Sequence, residues 1–415
     1  MKAKVGILSL GCPRNLVDSE SILARLNNKG YKIVDINEAD VALVNTCAFI
    51  IDAKEESIDA ILDLVERKKA GKLRKIIVYG CLSQRYKSKL SKELPEIDAF
   101  IGKVALEPSA QRFPISSPHF AYLKICEGCI NKCSFCVIPS IKGRLTSLDP
   151  DSILKKTAEL NRNRISELNI IGQDITGYGL DLDKGLDLNK LLIKIVKKTG
   201  NINWIRLLYL NPARISDELL KTIAREKKIC KYIDLPVQHI DSRILKLMNR
   251  KTARKDILKI IEKIRNSIPH VALRTSLIVG FPSETDKEFR ELLEFIKEVK
   301  FEKLGVFTYS REEGSAAYNF PGQLSDKIKR ERLDLIMSAQ QKISSEINSK
   351  FLGKILEVLV DEEDNGTYLG RSQYDAPEVD GVVYINKSKN KIFPGDFVKV
   401  KITDTLEYDL VGEVE

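Results

Sequence analysis

In the first third of the chain, short apolar runs alternate with amphipathic stretches. Residues 4–10 form one such run; Gly11-Cys12-Pro13-Arg14-Asn15 breaks it, and residues 18–28 then place Ile22, Leu23 and Leu26 at helical spacing. The unit repeats twice: residues 40–45 lead through Thr46-Cys47 to a helix over 52–69, and residues 74–79 lead through Gly80-Cys81 to a helix over 83–90. Repeated strand–turn–helix units predict an open parallel α/β sheet, and ligands on such sheets bind beyond the carboxyl ends of the strands. One cysteine follows each of the three strands. A single buried cysteine usually packs as a small apolar side chain, but three in register would converge on one sheet edge.

Phe113-Pro114-Ile115-Ser116-Ser117-Pro118-His119 interrupts the periodicity and reads as a linker. Beyond it, strand-like runs at 120–125, 168–171, 204–210, 232–235, 273–279 and 304–309 alternate with helical stretches at 152–161, 188–198, 216–226, 254–265 and 284–299. Six β/α units predict a partial, open (β/α)6 parallel barrel with its site at the strand carboxyl ends. Those ends carry Gly172-Gln173-Asp174, Asn211-Pro212, Pro236-Val237-Gln238-His239 and Val279-Gly280-Phe281-Pro282. His239 is expected to make a hydrogen bond rather than carry a proton, and Cys230 has no assigned role. A long helix over 325–350 precedes alternating segments at 355–360, 382–385 and 397–402, with turns at Asn365-Gly366 and Pro394-Gly395-Asp396. That pattern predicts a small antiparallel five-stranded β-barrel. The fold class is α/β with domains at 1–118, 119–349 and 350–415.

Composition sharpens this picture in two ways. The 415 residues carry a net charge of +10 and 8 cysteines, and no run approaches the ~20 apolar residues of a membrane span. Residues 4–10 are too short for the core of a signal peptide. The chain is therefore expected in the cytoplasm, its thiols reduced and available to metal rather than paired in disulfides. Charge is uneven, since residues 351–415 hold 7 basic against 14 acidic side chains. Nucleic-acid binding needs positive charge, so this acidic segment is expected to dock a basic protein through Asp361, Glu362, Glu363 and Asp364, and through Asp375, Glu378 and Asp380.

The chemistry gathers at Cys129-Ile130-Asn131-Lys132-Cys133-Ser134-Phe135-Cys136. Three thiolates this close can bind three irons of a [4Fe–4S] cube and leave the fourth iron open. An open iron can be chelated by the amino and carboxylate groups of S-adenosylmethionine, whose sulfonium bond an electron can then break to release a deoxyadenosyl radical. A zinc knot that adds Cys126 is the competing reading, but ribbon-type zinc sites separate their cysteine pairs by roughly 15–20 residues. Cys12, Cys47 and Cys81 offer a second three-thiol site of the same kind.

The C-x3-C-x2-C spacing with Phe135 resembles the radical S-adenosylmethionine superfamily, and nearly the whole chain resembles its methylthiotransferases. The segment from Gly11 to Glu20, the run Tyr232-Ile233-Asp234-Leu235-Pro236-Val237-Gln238-His239 and the run from Gly370 to Glu378 are similar to the branch that modifies a ribosomal protein. The resemblance implies a radical-SAM barrel followed by a TRAM barrel, and two [4Fe–4S] clusters held by Cys12, Cys47, Cys81 and by Cys129, Cys133, Cys136. It implies cofactor contacts at Phe135, Gly172, Gln173, Asp174, Arg274, Ile278 and Gly280. One S-adenosylmethionine would serve as methyl donor and another as radical source, adding a methylthio group to the β-carbon of an aspartate in small-subunit ribosomal protein number twelve. Partners implied are that protein, free or within the ribosome, an electron donor and a sulfur source, with no membrane and nucleic acid only secondarily. A transfer-RNA methylthiotransferase and a non-enzymatic iron–sulfur or zinc protein that binds ribosomes are the alternatives.

Overall fold

The computed structural model describes residues 3–104, 112–182, 185–386 and 391–415. The first sheet contains β1 (Lys4–Ser9), β2 (Lys32–Ile33), β3 (Val41–Thr46), β4 (Lys75–Gly80) and β5 (Ala99–Phe100), all parallel, in the order β2-β1-β3-β4-β5. The short edge strands β2 and β5 are additions to the three units legible in the sequence. Ser9 registers with Asn45, and Asn45 with Tyr79, so β1, β3 and β4 end level with one another. Helices α1 (Pro13–Asn28), α2 (Ile51–Lys69) and α3 (Cys81–Glu93) follow these three strands. Helix α1 begins earlier than apolar spacing suggested, because Pro13 sits at its first position, where no backbone donor is needed.

Six parallel strands build the centre: β6 (Phe120–Lys124), β9 (Glu167–Ile171), β10 (Trp204–Leu207), β11 (Tyr232–Asp234), β12 (Ala272–Val279) and β13 (Lys303–Thr308), with the hairpin β7 (Cys126–Glu127) and β8 (Thr146–Ser147) after the first. They form two three-stranded sheets, β6-β9-β10 and β11-β12-β13. The seam between them is closed by an Ile205–Ile229 bridge and by Leu210 N donating to Asp234 O at 2.9 Å. The strand expected over 204–210 stops at Leu207, since Tyr209 turns to φ +66° and gives its N–H to Asp234 Oδ2. Alternation along the strands separates two faces. Ala121, Leu123, Leu168, Ile170, Ile205 and Leu207 pack outward into the helical layer, whereas Phe120, Tyr122, Trp204 and Tyr232 pack inward.

A closed barrel completes the chain: β14 (Ile355–Asp364), β15 (Thr367–Ser372), β16 (Val383–Ile385), β17 (Phe397–Thr405) and β18 (Leu410–Val414). Four of its pairings are antiparallel as expected, but β16 and β18 run parallel. The segment between β15 and β16 enters the open side of the central barrel, where Ala376 and Leu359 join Phe120, Tyr122, Trp204 and Tyr232 in one apolar cluster.

This insertion overturns the idea of a free acidic docking face. Asp361 is held by Arg371 (2.7 and 2.9 Å) and His119 (2.7 Å), Asp375 lies 2.5 Å from Lys303, and Asp380 accepts from Tyr232 Oη at 2.6 Å and lies 3.4 Å from Arg274. Glu378, itself exposed, accepts from Tyr122 Oη at 3.1 Å. Only Glu362, Glu363 and Asp364 remain exposed without such partners within the central barrel. Net charge counted along the sequence cannot register that its members are used internally.

Arg371 is the centre of this joint, with Nη1 2.7 Å from Glu167 Oε2 as well as its two contacts to Asp361. Removing one member of a buried ionic set leaves the others charged and unpaired, which costs about 3–5 kcal/mol. Arg371→Ala is therefore expected to lower the urea midpoint strongly, while Glu362→Lys, on the exposed turn, should move it by no more than about 0.5 kcal/mol. Comparable midpoints for the two variants would show that the joint contributes no stability.

Candidate functional site: two cysteine triads facing across a domain joint

The level ends of β1, β3 and β4 deliver Cys12, Cys47 and Cys81 to one edge, and two glycines allow the close approach. Gly80 takes φ +96°, and a Cβ there would lie 2.4 Å from Asn45 Oδ1; Gly11 takes φ +85°, with Cys47 Cβ 2.7 Å from the same hypothetical atom. Asn15, 1% exposed, laces the three loops: its Nδ2 donates to Leu10 O (2.9 Å) and Thr46 O (3.3 Å), and its Oδ1 lies 4.0 Å from Cys81 Sγ. Burial raises the thiol pKa of Cys47 and pushes Cys81 up to about 12. At Cys12 burial acts in the same direction, but Arg14 and the Asn15 backbone outweigh it and the thiol sits below its ordinary value.

The second triad lies on the loop after β7. Ser134 donates through N to Met248 O (3.0 Å) and through Oγ to Leu247 O (2.7 Å), and Asn249 Nδ2 donates to Lys132 O (2.6 Å). Those bonds clamp the loop to residues 247–249. Asn131 donates to Cys129 Sγ from both N and Nδ2 at 3.4 Å, and Arg250 Nη1 reaches Cys133 Sγ at 3.8 Å. Burial pushes Cys136 up to about 12 and raises Cys129, so these thiols, like Cys47 and Cys81, would ionise when a metal takes the thiolate. Cys126 is fully buried in the core, its Sγ 3.9 Å from Asp174 O under Gly172. It points away from a ligand role. Among the described residues no three His, Cys, Asp or Glu side chains converge on a single ion.

The other residues singled out from the sequence surround this triad in different ways. Phe135 and Ile278 pack in the same apolar cluster beside Phe281 and Tyr309. Asp174 accepts from Asn131 Nδ2 (2.7 Å), pairs with Arg214 and caps the turn at Thr176. Gln173 donates to Glu127 Oε1 at 3.0 Å, leaving its own Oε1 buried without a partner. Gly280 has φ +72°, and a Cβ there would meet Lys329 Cγ at 2.4 Å, which is a packing reason for glycine. Arg274 is engaged by Asp234 at 3.2 Å and by Asp380. His239 is fully buried; its Nδ1 accepts from Asp241 N at 3.0 Å, and burial drives its pKa down to about 3, so the ring is neutral.

Between the triads lies a charged joint. Lys124 and Lys142, each nearly buried, both contact Asp18 of α1 and Glu127 of β7; Lys142 is 3.3 Å from each, and Lys124 is 2.6 Å from Glu127. Arg14 Nη1 donates to Gly172 O at 2.9 Å, and its guanidinium lies 4.5 Å over the Tyr209 ring. A second latch ties Lys54 and Arg85 to Glu312 at 2.9 and 2.8 Å. The first-domain triad is thus held against the mouth of the barrel.

Three family models match in chain order: the uncharacterized protein family UPF0004 over residues 4–102, the radical SAM superfamily over 123–296 and the TRAM domain over 352–414. A ribosomal protein uS12 methylthiotransferase RimO of Caldanaerobacter subterraneus is 48% identical, with 99% of each chain covered. That of Clostridioides difficile is 45% identical over 99% of this chain and 98% of its own. The chain belongs to the RimO family of ribosomal protein uS12 methylthiotransferases. As a RimO-family member it is a radical S-adenosylmethionine methylthiotransferase. Among solved structures, the radical S-adenosylmethionine methyltransferase TsrM of Kitasatospora setae, with cobalamin and a [4Fe–4S] cluster bound, matches with TM-score 0.54 at 12% identity, covering 89% of this chain and 81% of its own. The cobalamin-dependent enzyme OxsB matches with TM-score 0.52 over 82% of this chain and 58% of its own. These likenesses are of fold.

Sequence reasoning overlooked the residues that join the halves of this RimO-family site. Arg14, Asn15 and Asp18 lie inside the very segment quoted for the resemblance, yet nothing local marks them as pointing across a domain boundary. Lys124 ends a strand whose every residue is buried, and Glu127 and Lys142 are buried as well, yet in the sequence each reads as an ordinary charged side chain.

Proposed function

We propose that this chain adds a methylthio group to the β-carbon of an aspartate in ribosomal protein uS12, using two [4Fe–4S] clusters. The observation that carries this reading is the pair of three-cysteine sites on separate domains, held together by Arg14 on Gly172 and by the Asp18–Lys124–Glu127–Lys142 set. Cys129, Cys133 and Cys136 would hold the cluster that binds S-adenosylmethionine, and Cys12, Cys47 and Cys81 the cluster that presents sulfur. When bound, these groups supply a deoxyadenosyl radical at one site and a methylated sulfur at the other. An unactivated C–H bond gives a base nothing to remove, so the chain's own task is to position the parts.

Phe135 and Ile278 would wall the S-adenosylmethionine site, with Gly172, Gln173 and Asp174 on its polar side. Gly280 and Arg274 would shape its far end, the latter through Asp234 and Asp380. Domain limits at 1–118, 119–349 and 350–415 fit this division of labour. Ribosomal protein within the cytoplasm is the partner, together with an electron donor and a sulfur source, and nucleic acid is met only secondarily; no described helix is long and apolar enough to cross a membrane. The test is mass spectrometry of uS12 from cells with and without the gene. Loss of one methylthio mass from an aspartate of uS12 is expected in the deletion; an unaltered uS12, with a methylthio group missing from transfer RNA instead, would defeat the reading.

A further inference from the structure

Arg14 is a cation with no carboxylate partner among the described residues. Its direct partners are the Gly172 carbonyl, the Tyr209 ring and the Cys12 sulfur, while the Glu127 carboxylate acts on it only from beyond ion-pair distance. The neighbouring cations are already engaged: Lys124 and Lys142 by Asp18 and Glu127, Arg214 by Asp174, and Arg274 by Asp234 and Asp380. Arg250 also lacks a carboxylate, but it reaches Cys133 Sγ and Pro236 O and so belongs to the second triad alone. Arg14 is different in position. It projects from α1 two residues after Cys12, and through Gly172 it touches the loop whose Asp174 holds Asn131 against Cys129. Its charge is felt at Cys12, Cys47 and Cys81, and at Cys136 across the joint.

Apart from the Cys12 sulfur the guanidinium meets no anion directly, and an arginine fork left without a carboxylate marks a place where one can bind. Arg14 keeps part of its surface exposed. The proposed substrate supplies the matching group, because the reacting β-carbon of an aspartate is bonded directly to a carboxylate carbon. If hydrogen leaves that carbon toward one triad and sulfur arrives from the other, the carboxylate lies between them. We propose that Arg14 grips the carboxylate of the substrate aspartate and so selects an acidic side chain for modification, an inference that rests on the aspartate reading above. The planar fork of arginine can meet a carboxylate through two parallel hydrogen bonds, which a point-charge ammonium cannot do.

The test compares binding of uS12 with that of uS12 whose modified aspartate is replaced by asparagine, using the reconstituted full-length enzyme, R14Q and R14K. The unaltered enzyme is expected to prefer the aspartate form by about tenfold or more, the range of a hydrogen bond to a charged group. R14Q should bind the two forms alike, and R14K should keep an intermediate preference. A wild-type preference that survives in R14Q would overturn the assignment, as would a wild-type enzyme indifferent to the exchange. Equal weakening of both forms in R14Q together with lost iron would instead make Arg14 a counter-ion of the clusters and sink the proposal. Failure of the unaltered enzyme to bind uS12 in either form would be a failure of the functional reading itself.

Discussion

Deoxyadenosine formation is expected to disappear when any one of Cys129, Cys133 or Cys136 is changed to Ala, and to persist near the wild-type level in Cys126→Ser. Each of the three would be one of only three protein ligands to a cluster that must keep its fourth iron open, so losing one leaves two thiolates for a four-iron cube. No neighbouring thiol can step in. Cys126 Sγ is buried and faces Asp174 O, and Gly172 packs so closely over it that a Cβ would stand 2.6 Å from the sulfur. A serine hydroxyl at that position can donate to the same carbonyl, so the exchange should cost only about 1 kcal/mol. The measurement is deoxyadenosine released by dithionite-reduced, reconstituted protein, with iron counted in parallel. Iron loss in Cys126→Ser as deep as in Cys129→Ala would place Cys126 among the ligands and overturn the three-thiol assignment.

Changing Cys12, Cys47 and Cys81 together to Ala is expected to remove about half of the bound iron and all methylthio product, while deoxyadenosine is still formed. The two triads sit on separate domains and are clamped by separate bonds, the first by Asn15 and the glycine turns, the second by Ser134 and Asn249. Losing the first should therefore leave the second loop in place. Buried Cys47 and Cys81 become buried alanines with little change in volume, so the sheet should tolerate them. Iron content after anaerobic reconstitution decides the matter: a triple variant with unchanged iron would return these cysteines to a packing role.

The chain's hydrophobic period was enough to reveal three strand–turn–helix units, six β/α units and a terminal small barrel, because the period of each strand or helix records which of its faces avoids water. The C-x3-C-x2-C run was legible because its ligands share eight residues. That Cys12, Cys47 and Cys81 meet at one edge could be expected only if their strands were neighbours, and it is the parallel order β2-β1-β3-β4-β5 that brings them level. The acidic terminal barrel shows the opposite case. Its charge could be counted, but not that Asp361, Asp375 and Asp380 would be spent on Arg371, Lys303, Tyr232 and Arg274 inside a joint between domains. Arg14 likewise reads as one more basic residue in a turn until Gly172 and Tyr209 are folded against it. Local periodicity follows from which side chains avoid water, a property each residue carries by itself. Pairing of charges across domains depends on distances that exist only once the chain has closed on itself, and only the tertiary structure sets them.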